Sequence, residues 1–203
     1  MPVDSEATVT ARPPIRPTRA FRAGERFQGR RMARSDRRRK SSPGSRFVVQ
    51  KHWATRLHYD FRLEITRRLV SWAIPKGPSK DPEVKRLAVR VDDHPLEYLM
   101  FEGTLPEGEY GAGKVIVWDF GRYEVVSPAG PSVAVALNDG SIPFLLFGTK
   151  LRGRWSIFRT RIPARGRENW LLQKGRDEFA VARYDPESEP FSALSGKVPA
   201  DPR

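Results

Sequence analysis

Residues 47–64 read FVVQKHWATRLHYDFRLE. In an extended strand successive side chains alternate faces, so His58, Asp60 and Arg62 project from one side. Leu57, Tyr59, Phe61 and Leu63 take the other side, which is apolar and suited to a core. This stretch also holds two of the three histidines in the chain, and His52 precedes His58 by six positions. That spacing lets His52 reach the same wall from a neighbouring turn or strand end. Two imidazoles and a carboxylate suit a divalent transition metal. A guanidinium beside them suits phosphate, because its planar fork matches phosphate oxygens. The competing reading is a half-buried strand with a merely solvated polar face.

Composition narrows the partners. The chain has 203 residues and no cysteine, which excludes disulfides and thiolate metal sites. No apolar run of membrane-spanning length occurs, and no secretory signal is visible. The Arg-rich start invites comparison with an organellar leader, but Asp4 and Glu6 weigh against one. The net charge is +13 and uneven. Residues 1–46 carry 13 basic against 4 acidic residues, and the remainder 24 against 20. Nucleic acid is the natural partner of such a balance. A membrane surface is disfavoured, because no amphipathic helix accompanies the charge.

Residues 1–45 are rich in Arg, Pro, Ser and Gly and read as a flexible basic arm. From Phe47 the texture changes to short β-rich runs between turn signals. Expected strands cover 46–51, 57–65, 69–74, 87–91, 114–120, 122–126, 132–136, 144–147, 154–161 and 170–173. Many short strands at this spacing predict an all-β antiparallel fold, a barrel or sandwich, over residues 46–183. One short helix is expected at 177–183 and a single turn at 81–85, and residues 184–203 form a polar surface tail.

Three other stretches bear on chemistry. Lys76 sits between Pro75 and Gly77-Pro78 in a stiff turn, where a fixed cation would attract phosphate. His94 follows Asp92-Asp93 and precedes Pro95, with Tyr98 four positions on. It suits a metal ligand, a phosphoryl contact or a general acid. The Gly-rich stretch 101–113 lacks the Gly-Lys-Ser/Thr ending of a phosphate loop and reads as a rim that shapes the site.

Taken together, Phe47–Glu64, Ser71–Ser79, Lys85–His94, Phe101–Asp119 and Trp170–Leu172 resemble the 3′-phosphoesterase domain of bacterial ligase D and its stand-alone relatives. The resemblance implies a barrel-like fold and a Mn²⁺-dependent enzyme that trims DNA 3′ ends in primer-template form, with Co²⁺ or Zn²⁺ as alternative ions. It implies His52, His58 and Asp60 as metal ligands, and Arg62, His94 and Tyr98 as phosphate-contacting residues. Lys76 and Arg86 match further basic groove residues, and Asp92 stands where the family places an acid. The family also carries an acidic segment ahead of the barrel that assists removal of a terminal ribonucleoside. Phe21–Ser45 holds Glu25 and Asp36 without that motif, so hydrolysis of the 3′-phosphate is the expected step. The implied setting is the cytoplasm, at the nucleoid, beside a separate DNA ligase, polymerase or Ku-type end-binding protein. The rival readings are a non-catalytic nucleic-acid-binding module and a phosphodiesterase acting on RNA or a cyclic phosphate.

Overall fold

In the computed structural model the described residues are 45–106, 108, 111–126, 132–161 and 166–199. The expected basic arm, 1–45, lies outside them apart from its last residue. Nine strands follow in chain order: β1 (Arg46–Trp53), β2 (Leu57–Ile65), β3 (Arg68–Ile74), β4 (Lys85–His94), β5 (Gly103–Leu105), β6 (Gly113–Val125), β7 (Ser141–Gly148), β8 (Arg152–Arg159) and β9 (Asn169–Lys174). One α-helix, α1 (Val133–Asp139), joins β6 to β7.

The sheet order is β1-β2-β3-β4-β9-β8-β7-β6-β5, and β1 also pairs with β6. That extra pairing closes eight antiparallel strands into a barrel, with β5 added along the first half of β6. Closure removes the free edges that an open sheet of this size would expose. The expected all-β barrel is therefore the fold. Its interior is filled by Trp72, Trp118, Trp170, Tyr59, Phe61 and Phe144 among others, all fully buried. Alternation then places the even-numbered residues of β2 on the outer wall.

The outer wall at β1–β3 is not left to solvent. A 3₁₀ turn, Leu96–Met100, packs over it, and Val48, Leu69, Leu99 and Val117 form a second small core there. This explains why β1 and β2 are buried on both faces. Polar side chains on that wall thus sit beneath a roof.

Three local expectations change. Residues 114–120 and 122–126 form one continuous strand, because Gly121 lets it pass β7 closely: a Cβ there would meet Phe147 O at 2.2 Å. Residues 132–136 belong to a helix, not a strand. Their β-branched composition is overruled by the Ser132 cap, which accepts from Val135 N, and by Gly140, which ends the helix at φ 77°. Residues 177–183 are not a helix. The Asp177 carboxylate accepts from the backbone N–H of Phe179 and Arg154 and holds the chain in bends. The 3₁₀ turn and β5 had no anticipated counterpart.

Beyond Tyr184 the chain runs across one end of the barrel and is tied down there. Glu187 accepts from Tyr59 Oη at 2.6 Å and pairs with the buried Lys51 Nζ at 2.5 Å. Glu189 pairs with Lys80 at 2.7 Å, and its carbonyl accepts from the Trp118 indole. Among the described residues no helix is long and apolar enough to cross a membrane.

Candidate active site

β1 and β2 are antiparallel and His52 pairs directly with His58 in the register. Of the two expected placements of His52, a turn or a strand end, the structure has the strand end, and the ladder itself sets the two rings side by side, centroids 4.7 Å apart. Asp60 stands two residues on, with His52 Nδ1 3.5 Å from Oδ2 and His58 Nε2 3.7 Å from Oδ1. One ligand atom from each of His52, His58 and Asp60 lies within 4.8 Å of the others.

The donor set fits a divalent metal on three observations. His58 Nδ1 faces the Arg56 carbonyl at 2.9 Å, which protonates that nitrogen and frees Nε2 as a lone-pair donor on the Asp60 side. His52 Nε2 is buried without a partner, an unusual cost for a polar atom. Burial pushes the Asp60 carboxyl up, but the His52 hydrogen bond and the charges of Arg62 and His58 outweigh it and hold it below its ordinary value. The site therefore offers an ionised carboxylate and two imidazoles. Gly111 borders it: a Cβ there would lie 4.0 Å from His52 Cε1, so the rim loop passes directly beside the cluster.

Arg62 is the second centre. Its guanidinium is buried and meets four partners: Asp60 Oδ2 at 3.1 Å, Gln50 Oε1 at 2.9 Å, Ser71 Oγ at 2.8 Å and His94 Nδ1 at 2.7 Å. Gln50 is itself fixed, donating to the Tyr98 and Phe101 carbonyls at 3.0 Å each. Gln50 and Ser71 were not anticipated. The available signals were faint: Gln50 lies two residues before His52, on the same face, and Ser71 is the single polar residue within Leu69–Ile74.

A β-bulge puts His94 here. Ser71 pairs with Val91, yet Leu69 pairs with His94, so β4 spends one extra residue between them. Without that insertion Asp93 would stand opposite Leu69 and His94 would turn to the other face. Tyr98, from the 3₁₀ turn, meets His94 edge-on at 5.4 Å. Three neighbours meet His94 Nδ1: the Arg62 N–H, the Asp92 carbonyl at 2.8 Å and, farther off at 3.4 Å, the Ser71 hydroxyl, whose proton goes to the Leu69 carbonyl. A guanidinium only donates, and its permanent charge decides the contest, leaving Nδ1 as acceptor and Nε2 as the protonated nitrogen. Burial, and then the Arg62 charge, hold His94 below the usual imidazole range, so it is neutral at pH 7.

The remaining sequence candidates fall elsewhere. Asp92 meets His94 through its backbone carbonyl, and its side chain is exposed. Lys76 is exposed in the turn after β3, and no contact joins it to the cluster. Arg86 shares the inward face of β4 with Ala88, away from the metal ligands, and its Nε is buried without a partner.

Comparison with known proteins decides the family. The profile described as DNA Ligase D 3′-phosphoesterase domain matches residues 50–159. The chain belongs to the ligase D 3′-phosphoesterase family. It is 50% identical over 165 residues to the multifunctional non-homologous end joining protein LigD of Pseudomonas aeruginosa, covering 79% of this chain and 19% of that protein. The LigD protein of Mycolicibacterium smegmatis is 41% identical over 161 residues, covering 78% of this chain and 20% of the relative. The multifunctional non-homologous end joining DNA repair protein LigD of Mycobacterium tuberculosis is 42% identical over 157 residues, covering 76% and 19% respectively. The chain thus spans about a fifth of the length of these LigD relatives, and the phosphoesterase family match includes His52, His58, Asp60, Arg62 and His94.

Proposed function

We propose that this chain is a metal-dependent phosphoesterase that hydrolyses a DNA 3′-phosphate to a 3′-hydroxyl in end-joining repair. The observation that carries the reading is the meeting of a His52–His58–Asp60 metal triad with a buried arginine, Arg62, that is pre-oriented beside His94.

His52, His58 and Asp60 would hold Mn²⁺, although such a donor set accepts other first-row ions, including Co²⁺ and Zn²⁺. When bound, the metal supplies Lewis acidity at the phosphoryl group and lowers the pKa of a coordinated water. The protein's own groups do the rest. Arg62 presents a fixed cation to the phosphoryl oxygens, and its four partners remove the cost of orienting it during reaction. His94, as a neutral imidazole, offers Nε2–H as a hydrogen bond to a phosphoryl oxygen or to the leaving 3′-oxygen. Tyr98 presents its ring and hydroxyl beside His94. Lys76, exposed in the turn after β3, is assigned to attraction of the approaching strand rather than to the reacting group. Removal of a terminal ribonucleoside is a second step that the same centre could serve.

The substrate is a DNA 3′ end in primer-template form. A separate ligase would consume the 3′-hydroxyl, with a polymerase or Ku-type protein at the same end, in the cytoplasm at the nucleoid. The test is incubation with a 3′-phosphate primer-template, with and without Mn²⁺, reading end chemistry on a gel. Metal-dependent conversion to a 3′-hydroxyl supports the reading. Binding without any change at the end identifies a non-catalytic module instead, and preference for a cyclic phosphate or RNA identifies a different phosphodiesterase.

A further inference from the structure

Beside His94 lies an open polar cleft of about 610 Å³ that the metal and phosphate groups do not account for. Its charged walls are Arg68, Arg90, Asp92, Asp93, Arg167 and Glu168. One hydrogen bond and one close backbone contact join it to the site. Arg90 donates to the backbone carbonyl of Ser71 at 3.1 Å, and the Asp92 carbonyl is 2.8 Å from His94 Nδ1.

The charges of the cleft are unevenly committed. Asp93 pairs with Arg90, which also lies over the Trp72 ring at 5.5 Å. Glu168 pairs with Arg159 at 3.2 Å and accepts from the Trp170 indole at 3.1 Å. Arg68 and Arg167 are exposed, and among the described residues neither guanidinium has a hydrogen bond or ion pair. Two uncommitted arginines therefore face one free carboxylate, that of Asp92. Arg68 is also held in place by its backbone. It pairs with Ile65 across a two-residue turn in which Thr66 and Arg67 take φ 47° and 65°. That left-handed turn closes the hairpin tightly and delivers Arg68 at the first position of β3.

We propose that this cleft seats a backbone phosphodiester of the same nucleic acid whose 3′ end lies at Arg62 and His94. The inference rests on the nucleic-acid reading of the neighbouring site and adds where the strand runs. Planar guanidinium forks suit phosphate oxygens, and backbone phosphates recur every few ångströms along a strand, so one beyond the terminal phosphate must lie close to the reacting end. The free arginines take the anion, while Arg90 is already locked by its neighbours and shapes the floor.

The test is the salt dependence of binding, read by fluorescence anisotropy on a labelled 3′-phosphate primer-template. The wild type and the double variant R68A/R167A are compared from about 50 to 200 mM salt, a range over which phosphate contacts dominate affinity. The control is R176A, an equally exposed arginine outside the cleft. Each lost phosphate contact should flatten the log–log slope by about 0.9, so the double variant should be shallower than wild type by at least that amount. R176A should keep the wild-type slope. An unchanged slope in the double variant, or an equal loss in R176A, overturns the cleft. Phosphate release by the wild type is scored separately, so failure of the hydrolase reading is distinguishable: release with an unchanged slope removes only the cleft, and a flattened slope without release removes only the hydrolase.

Discussion

Arg62 Nη1 lies 2.7 Å from His94 Nδ1, a contact in which only the arginine can donate. It fixes the imidazole as the Nε2–H tautomer, and with burial it depresses the pKa of His94. Nitrogen-detected NMR should show His94 neutral at pH 7 with a bare Nδ1, charging only below the ordinary value of about 6.5. In Arg62→Ala the pKa should climb back toward that value. A His94 that is already protonated at pH 7 in the wild type would contradict this tautomer.

Asp60 serves two masters, the metal triad and the buried Arg62. Asp60→Asn should weaken Mn²⁺ binding by at least about tenfold, the lower bound for losing even a partner outside the ligand set. It should also destabilise the fold by about 3–5 kcal/mol, because Arg62 loses its carboxylate partner while remaining buried. His52→Ala should lose the metal with a smaller fall in stability, since Asp60 keeps Arg62 as its charged partner when the His52 contact is gone. Calorimetric metal titration and thermal unfolding of both variants separate the two effects, and equal losses of stability would refute the distinction.

The C-terminal crossing closes the barrel end through Glu187, which meets the buried Lys51 and the Tyr59 hydroxyl. Glu187→Ala leaves that ammonium without an acid. Because Glu187 is half exposed, the expected cost is moderate, about 1–2 kcal/mol, read as a lower urea midpoint. No change in the midpoint would mean that the crossing does not hold the barrel.

Asp119 is buried, and burial pushes its carboxyl up to about 6, against the opposing hydrogen bonds from Leu151, Lys150 and Thr149. Nearby, burial holds the Lys150 ammonium down to about 8. A carboxyl raised in the folded state binds its proton more tightly there than in the unfolded chain. Its stabilising contribution is therefore complete below about pH 4 and is lost as pH rises through about 6. Urea unfolding across this window should show that loss in the wild type, and Asp119→Asn should remove that component of the pH dependence. A wild-type curve indistinguishable from the variant's between pH 4 and 6 would contradict it.

Much of the site was legible because β2 obeys a period of two. His58, Asp60 and Arg62 fall on one face whatever the barrel does. His94 was legible as a candidate but not as a partner of Arg62, since its orientation depends on one inserted residue in β4 that leaves no local signature. The support from Gln50 and Ser71 was invisible for a related reason: both contacts cross strands, and neither residue type announces itself. The one α-helix among the described residues was hidden by its own composition. Val133 and Val135 favour a strand, and only the flanking Ser132 and Gly140 identify the helix ends. Arg86 shows the opposite limit, because a basic residue in the matching segment can still point into the barrel end.

The most direct test is an electron paramagnetic resonance titration of Mn²⁺ into the wild type, His52→Ala and Asp60→Asn, with and without inorganic phosphate. One ion should bind per wild-type chain, phosphate should alter its signal, and both variants should leave the ion free in solution. Undiminished binding in the two variants, or a bound ion indifferent to phosphate, would contradict a metal held at this triad beside Arg62 and His94.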